Sequence, residues 1–165
     1  MSEQVIHPIS PVFDQHSRVL ILGTMPSPKS REQGFFYAHP GNRFWLVLSR
    51  VLGEPFPETT QQRRELVLRR RIALWDVLHS CDIIGAQDAK ITNPIPNDFS
   101  GILSQANIRA VFTTGKKAWQ LYGRFCLAQT GMPAASLPST SGANASASLE
   151  RLVQEYSAIL PYLEE

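Results

Sequence analysis

Short runs of consecutive apolar residues recur along the chain and are separated by longer polar or amphipathic stretches. The runs are Val19–Leu22, Ile72–Trp75, Ala110–Phe112 and Ala134–Leu137. Because they lack the alternation of a strand with one solvent face, they predict strands that are buried on both faces. Buried strands of this kind are typical of a parallel sheet covered by helices.

Apolar residues at helical spacing predict helices between and after these runs. The predicted helices are Arg43–Leu52, Gln61–Arg71, Phe99–Gln105, Lys116–Phe125 and Leu149–Leu160. The last has the clearest apolar stripe, formed by Leu149, Leu152, Val153, Tyr156, Ile159 and Leu160. Strands that alternate with helices predict an α/β fold, a three-layer αβα sandwich with a central four-stranded parallel sheet. In such folds ligands bind beyond the carboxyl ends of the strands.

Composition and charge place only a few limits on the domain organisation and function of the protein. With 165 residues, 43% of them hydrophobic, we expect a single domain over residues 1–165. No stretch approaches the roughly 20 apolar residues of a membrane-spanning helix, so we expect a soluble, cytoplasmic protein without a membrane partner. We also expect a monomer. Cys81 and Cys126 have no histidine at metal-ligand spacing and predict buried free thiols without a metal site. A net charge of +2 is too small to indicate nucleic-acid binding, so any such surface must be local.

The segment Gly23–Ser30 has the spacing of a phosphate-binding loop, but Pro28 stands where that loop has its second glycine. Pro26 and Pro28 each remove a backbone donor and fix φ near about −65°. The backbone amides that would surround a phosphate therefore cannot all point inward. We exclude nucleoside triphosphate hydrolysis on this ground.

Two longer motifs resemble those of a known enzyme family. The first is Gly23-Thr-Met-Pro-Ser27 followed by Gly34-Phe-Phe-Tyr-Ala-His-Pro-Gly-Asn-Arg-Phe-Trp45, and the second is Leu137-Pro-Ser-Thr-Ser-Gly-Ala-Asn144. Together with Trp75-Asp76, Ser80-Cys81 and Thr113-Thr-Gly-Lys-Lys117, they resemble the hypoxanthine-DNA glycosylase branch of the uracil-DNA glycosylase superfamily. They also resemble the related mismatch-specific uracil/thymine glycosylases.

The resemblance implies a monofunctional glycosylase of base excision repair, which flips a deaminated base out of DNA and hydrolyses its N-glycosidic bond. The expected substrate is double-stranded or single-stranded DNA that contains hypoxanthine first, and uracil or mismatched thymine second. Water is the only expected co-substrate, with no cofactor and no metal. In a bacterial cell such an enzyme would act on the nucleoid.

The resemblance also points to the catalytic residue. The mismatch-specific enzymes carry a catalytic asparagine at the position of Met25, and a thioether cannot position water. In the hypoxanthine branch the asparagine lies in the segment that ends Asn-Arg-Phe-Trp, which is Asn42 here. A neutral amide can orient water without taking a full proton. Alternatively, Asn42 is the N-cap of the helix that follows.

Several neighbours of Asn42 are candidates for contact with the flipped base. The backbone at Gly23, Thr24 and Met25 ends a strand and offers N–H donors to a base carbonyl. Stacking on the base falls to one of Phe35, Phe36 and Tyr37, of which Phe36 is favoured. His39 is a candidate general base, or a turn residue that bonds backbone. Asp76 either orients a base or water or makes a structural bond to a nearby loop.

The second motif predicts the contact with DNA phosphates and the minor groove. Its candidate residues are Ser139, Thr140, Ser141, Gly142, Ala143 and Asn144, joined by Lys116 at a helix start. The alternative is a polar loop that caps the next helix, with Lys116 solvated. Neither Ala143 nor Asn144 is the bulky wedge that is usually inserted into the duplex. The basic run Arg63, Arg64, Arg69, Arg70 and Arg71 is more typical of a solvated helix face.

Two other functions remain open from the residues alone. One is an N-ribohydrolase that acts on free nucleosides or nucleotides, and the other is a non-catalytic DNA-binding relative. Neither motif places a lysine for Schiff-base chemistry, apart from the nearby Lys29, so we expect no lyase activity.

Overall fold

The predicted strands form one parallel sheet in the computed structural model, which describes residues 3–83, 91–144 and 146–164. The strands are β2 (Val19–Gly23), β3 (Ile72–Asp76), β6 (Ala110–Thr114) and β7 (Ala134–Leu137). Their order is β3-β2-β6-β7, and every neighbouring pair is parallel. The prediction of a four-stranded parallel sheet is confirmed, and each strand lies within two residues of its predicted bounds.

Helices cover both faces of this sheet. Successive residues of β2 belong to different cores: Val19 and Ile21 pack on one face, Leu20 and Leu22 on the other. The first face holds α2 (Phe44–Leu52), α3 (Thr60–Arg69) and α7 (Leu149–Tyr156), and the second holds α4 (Ser100–Gln105) and α5 (Lys116–Phe125). The predicted three-layer αβα sandwich is therefore confirmed.

The ends of two predicted helices differ from the structure. The helix predicted to reach Arg71 stops at Arg69, because Arg71 has a φ of 65° that a helix cannot contain. The helix predicted from Leu149 to Leu160 stops at Tyr156. It continues as a 3-10 turn (Ser157–Ile159) and the short helix α8 (Leu160–Leu163).

A second sheet of three antiparallel strands was not predicted. It contains β1 (Glu3–Ile6), β4 (Leu78–Ile83) and β5 (Thr92–Pro96) in the order β1-β4-β5. Pro94 and Pro96 argue against a strand in the sequence, but β5 lies at a sheet edge, where proline is tolerated. The short helices α1 (Pro28–Gln33) and α6 (Leu127–Thr130) were also not predicted.

The junction between the two sheets is held by a buried amide. Only Val77 separates β3 from β4, and Asn97 Nδ2 donates hydrogen bonds to the carbonyl oxygens of Asp76 and Leu78 at 2.9 and 3.0 Å. Asn97 is itself buried. This clamp fixes the carboxyl end of β3, and with it the position of Asp76.

Both cysteines are buried, as predicted, and they are not joined to each other in a disulfide. Burial raises the pKa of the Cys126 thiol to about 11, so it is a poor nucleophile at neutral pH. In the part of the chain that the structure describes, no helix is long and apolar enough to cross a membrane. Within the same residues no group of three or more His, Cys, Asp or Glu side chains is arranged to hold a metal ion.

Candidate active site

A cavity of about 830 Å³ opens at the carboxyl ends of the parallel strands, where the fold places ligands. It brings together most of the predicted site residues. Those that line it are Gly23, Thr24, Met25, Phe36, Tyr37, His39, Asn42, Ser139, Ser141, Gly142, Ala143 and Asn144. Thr140 lies behind this wall and Lys116 lies outside it. Asp76 and Thr114 complete the lining on the sheet side.

Three polar atoms surround the space beside Gly23. A methyl group on Gly23 would come within 2.5 Å of Asp76 Oδ1, 3.4 Å of the Tyr37 hydroxyl oxygen and 3.5 Å of Thr114 Oγ1. Any side chain at this position would therefore collide with the Asp76 carboxylate. The absence of a side chain at Gly23 keeps these atoms accessible to a ligand.

Asp76 is oriented by a histidine that the sequence analysis did not single out. His7 Nε2 lies 2.7 Å from Asp76 Oδ2, and both side chains are almost completely buried. Because His7 Nδ1 accepts the Ile9 N–H at 3.2 Å, Nε2 carries the hydrogen and donates it to Asp76. Oδ2 is thus engaged by His7, which leaves Oδ1 as the carboxylate oxygen beside Gly23. The structural bond predicted as the alternative for Asp76 is present, and Asp76 also lines the cavity.

Tyr37 is held in an unusual backbone conformation at the cavity wall. Its φ is 53°, in the left-handed region that residues other than glycine rarely occupy. Its ring stacks on Phe44 with a centroid distance of 3.8 Å, and its hydroxyl is 3.1 Å from Thr114 Oγ1. Burial raises the pKa of Tyr37 well above its usual value of 10, and the nearby Asp76 charge raises it further. The hydroxyl therefore keeps its proton at neutral pH and can donate it.

The backbone after β2 turns its carbonyl groups away from the cavity. The Gly23 and Thr24 carbonyl oxygens accept the Val77 and Leu78 N–H groups at 2.8 and 3.1 Å. The side chain of Met25 packs against the core on the α4 and α5 face. Thr24 and Met25 both line the cavity, and the use of their N–H groups by a ligand stays a prediction.

Asn42 joins the two sequence motifs. Its Oδ1 accepts a hydrogen bond from the Phe44 N–H at 2.9 Å and another from the Thr140 hydroxyl at 2.8 Å. The formal N-cap of α2 is Arg43, but the capping contact comes from Asn42. Asn42 therefore makes the predicted capping hydrogen bond, and it also lines the cavity.

His39 makes the turn contact that was the alternative to a general base. Its Nδ1 accepts the Gly41 N–H at 2.9 Å, and the side chain is exposed at the mouth of the cavity. In the neutral ring the hydrogen then resides on Nε2, which makes that atom a donor. The geometry favours His39 as a donor to an acceptor on the ligand over His39 as a base.

The Ser139–Asn144 loop has a shape fixed by its own hydrogen bonds. Ser139 Oγ accepts the Ser141 N–H at 3.1 Å, and Ser141 Oγ accepts the Ala143 N–H at 3.2 Å. Arg43 anchors the loop by donating to the carbonyl oxygens of Asn144 and Ala147 at 3.0 and 2.8 Å. The Gly142 backbone approaches so closely that a methyl group there would lie 2.9 Å from the Gly41 carbonyl oxygen.

The predicted basic candidates differ in their surroundings. Lys116 is exposed at the start of α5, directly after Gly115, whose N–H donates to the Leu137 carbonyl oxygen at 2.7 Å. The basic run of α3 makes contacts within the protein: Arg63 lies over Trp45 and Phe56, Arg64 lies over Phe35, and Arg69 and Arg70 pair with Glu54. Arg71 Nη1 also donates to the Leu163 carbonyl oxygen at 3.2 Å, so all five arginines have partners within the protein.

His7 and Thr114 are the site residues that sequence reasoning missed. His7 lies in the N-terminal segment, 69 residues from its partner Asp76, and no local pattern connects them. Thr114 lies within one of the motif segments, but no sequence pattern indicates that its hydroxyl is a neighbour of Tyr37. The register of the parallel sheet brings Asp76 and Thr114 to one edge, and the segment that follows β1 brings His7 to Asp76.

Comparisons with known proteins found a matching family, similar sequences and a similar structure. The sequence model of the uracil DNA glycosylase superfamily matches residues 10–164. A hypoxanthine DNA glycosylase of Methanosarcina acetivorans is 35% identical over 135 residues, covering 81% of this chain and 84% of that protein. Its counterpart in Methanosarcina barkeri is 36% identical over 136 residues, covering 81% and 85%. The NMR structure of a candidate uracil DNA glycosylase from Methanosarcina acetivorans superimposes with a TM-score of 0.83 at 32% identity, covering 99% of this chain and all of that one.

Proposed function

Because the chain belongs to the uracil-DNA glycosylase superfamily and is a DNA glycosylase, we propose that its substrate is DNA with a deaminated base, hypoxanthine first and uracil second. The observation that carries this proposal is the set of polar atoms around Gly23. The names of the Methanosarcina relatives support the order of preference.

Deamination changes the hydrogen-bonding edge of a base in a way that this set of atoms matches. Adenine and cytosine present an amino donor beside a ring-nitrogen acceptor, whereas hypoxanthine and uracil present a carbonyl acceptor beside a ring N–H donor. Asp76 Oδ1 is an acceptor suited to the ring N–H. The Tyr37 or Thr114 hydroxyl, or the Thr24 and Met25 amides, can donate to the carbonyl. Adenine or cytosine would place its acceptor nitrogen against the carboxylate and be rejected.

The reaction is hydrolysis of the N-glycosidic bond. The bond between C1′ and the base nitrogen breaks, and its electron pair leaves with the base. A water oxygen bonds to C1′ and releases a proton, so the products are the neutral free base and an abasic sugar. The transition state carries positive charge on the sugar and negative charge on the base, which pocket groups stabilise by prearranged dipoles. Asn42, in the wall between the two motifs, is the residue that we place at the reacting bond.

Two further observations support hydrolysis without strand cleavage. Among the cavity-lining residues that the structure describes, none is a lysine, which a Schiff-base mechanism would need. Lys29, the one candidate noted in the sequence, lies 3.8 Å from Glu32 on the exposed side of α1. The expected product is therefore an abasic strand that stays intact until alkali is added.

The DNA strand is proposed to pass over the Ser139–Asn144 loop and Lys116. The loop is polar, partly exposed and braced by Arg43, so it can contact phosphates with little loss of conformational entropy. Of the three candidate rings for stacking, Phe35 and Phe36 are only 1% and 2% exposed, so Tyr37 has more surface available for the base.

The experiment that tests this proposal compares base release from matched duplexes that carry hypoxanthine, adenine, uracil, cytosine, or thymine opposite guanine, under single-turnover conditions with EDTA. Free deoxyinosine serves as a further substrate. We expect release of hypoxanthine and then uracil, with no release of adenine or cytosine. Release from deoxyinosine but not from DNA would indicate an N-ribohydrolase. Tight duplex binding without any release would indicate a non-catalytic relative.

A further inference from the structure

The Asn42 amide contacts Thr140, a residue behind the cavity wall. The Thr140 hydroxyl is 2.8 Å from Asn42 Oδ1 although the residues are 98 positions apart, and Thr140 is only 1% exposed. The Thr140 carbonyl oxygen also accepts the Arg43 N–H at 2.9 Å. The contact is thus partly buried, and a backbone bond to the residue next to Asn42 supports it.

The Phe44 N–H identifies which amide atom is the oxygen. A backbone N–H can only donate, so the Asn42 atom at 2.9 Å from it must be the acceptor, Oδ1. With the Phe44 N–H and the Thr140 hydroxyl both directed at Oδ1, its two lone pairs are occupied. Among the described residues no partner is found for Nδ2, and Asn42 lines the cavity. The polar group that Asn42 offers to a substrate is therefore its NH₂ group.

We propose that Thr140 is a positioning residue that turns Asn42 so that Nδ2 donates a hydrogen bond to the departing base. The inference rests on the proposed glycosylase function. An NH₂ group cannot accept a proton from water, so Asn42 is not the group that activates the nucleophile. It can stabilise the electron pair that the base takes from the C1′–N bond, through a nitrogen or oxygen acceptor on the base. No proton leaves Asn42 in this step.

This role differs from the water-orienting role expected from the sequence. An amide whose oxygen faced the cavity would accept a hydrogen bond from water, but that oxygen is already used twice inside the protein. A donor arranged in advance for developing negative charge is worth about 10² to 10³ in rate. Its value depends on orientation, because a freely rotating amide would spend part of its time with the oxygen outward.

The test uses Thr140→Val, which removes the hydroxyl at nearly constant shape, and Thr140→Ser, which keeps it. We expect Thr140→Val to slow single-turnover release of hypoxanthine about tenfold or more, with damaged-duplex affinity unchanged. Thr140→Ser should restore most of the rate. In an Asn42→Ala background, Thr140→Val should have no further effect, because the hydroxyl acts through Asn42. A merely structural role would lower the rate in both backgrounds alike, alongside the unfolding midpoint.

Asn42→Asp separates the donor role from an acceptor role. Aspartate presents only acceptor oxygens at the same position, so it should be as inactive as Asn42→Ala. A rate near that of the wild type for Asn42→Asp or for Thr140→Val would overturn the inference while leaving the glycosylase function intact. If the wild type releases no base, the proposed function fails and the inference fails with it.

Discussion

At the scale of single residues, the chemistry of the cavity depends on which atoms of each side chain are already engaged within the protein. Asp76 uses Oδ2 for His7 and presents Oδ1, whereas Asn42 uses its oxygen for Phe44 and Thr140 and presents its nitrogen. One wall therefore offers an acceptor and the other a donor. This arrangement suits a base that has a ring N–H on one edge and gains negative charge as it leaves.

Asn42→Ala should lower single-turnover release of hypoxanthine by about 10² or more, because a donor to the departing base is lost. Damaged-duplex affinity should change little. Loss of the Phe44 contact should cost about 1 kcal/mol of unfolding free energy, as for a helix cap. Asn107→Ala is a matched control, since Asn107 is exposed just before β6, at the opposite end of the sheet from the cavity. Equal losses in rate and in binding would contradict the assignment.

Asp76→Asn should reverse the preference of the pocket. With the His7 N–H donating to the asparagine oxygen, the amide nitrogen would face the base and meet the ring N–H of hypoxanthine with a second donor. We expect hypoxanthine release to fall by about 10² or more, since a mismatched buried donor is strongly penalised. The assay is single-turnover release, with Asp14→Asn, in a loop before β2, as the control. A variant that still prefers hypoxanthine over adenine as strongly as the wild type would refute Asp76 as the reader of the base.

Sequence reasoning reached some of these residues and not others. Asn42, Tyr37 and Gly23 lie within motifs that local sequence can identify. His7 could not be found in this way, because its role depends on β1 and the following segment reaching the end of β3. The orientation of the Asn42 amide was equally out of reach, since Thr140 is adjacent to it only in the fold.

At the scale of elements, the proposed site is formed by two loops that pack against each other. The His39–Arg43 segment and the Ser139–Asn144 loop share the Asn42 contact, the Arg43 anchors and the close approach of Gly142 to Gly41. The Ser139–Asn144 loop follows β7, and the His39–Arg43 segment precedes α2. Both elements were predicted from their apolar residues, and they fix where the two loops lie. The Asn42 amide is held both by this packing, through Thr140, and by the Phe44 N–H of its own segment.

Gly142→Ala should separate these loops. The added methyl group would lie 2.9 Å from the Gly41 carbonyl oxygen, so one backbone has to move. Because a displacement of about 1 Å can cost about 10² in rate, we expect base release to fall by that order while the unfolding midpoint changes little. Gly123→Ala on α5, where a methyl group meets nothing within 4 Å, is the control and should keep full activity. Full activity in Gly142→Ala would show that the close contact is unimportant.

The observed strands and helices also show which elements the hydrophobic pattern could not predict. The four parallel strands and the main helices were predicted because buried runs and apolar stripes mark them strongly. The antiparallel sheet was missed because β4 follows β3 after one residue and β5 contains two prolines. Both features obscure the sequence pattern of a strand. They are nevertheless compatible with a short sheet whose edge strand contains proline.

At the scale of the whole molecule, the small net charge of +2 leaves recognition to local geometry rather than to a general basic surface. Most arginines of α3 bind within the protein, and Lys116 lies beside the second motif. We therefore expect duplex affinity to depend on few phosphate contacts and to decline only modestly with salt.

Stability should decrease at alkaline pH because of buried tyrosines. Burial raises the pKa of Tyr37 and Tyr156 above the usual value of 10, so the unfolded chain loses these protons first as pH rises. The stabilisation is complete below pH 10 and declines above it, by about 1.4 kcal/mol per pH unit for each such tyrosine. Unfolding midpoints measured from pH 8 to about pH 11 should decline less steeply for Tyr156→Phe. Tyr162→Phe, at an exposed position, should follow the wild type, and equal slopes for all three proteins would contradict the prediction.

The most direct test of the account is detection of free hypoxanthine released from a hypoxanthine-containing duplex by excess protein in EDTA, with the strand examined before and after alkali. The account predicts one free base per duplex and a strand that breaks only after alkali. A duplex that is bound but releases no base would contradict it.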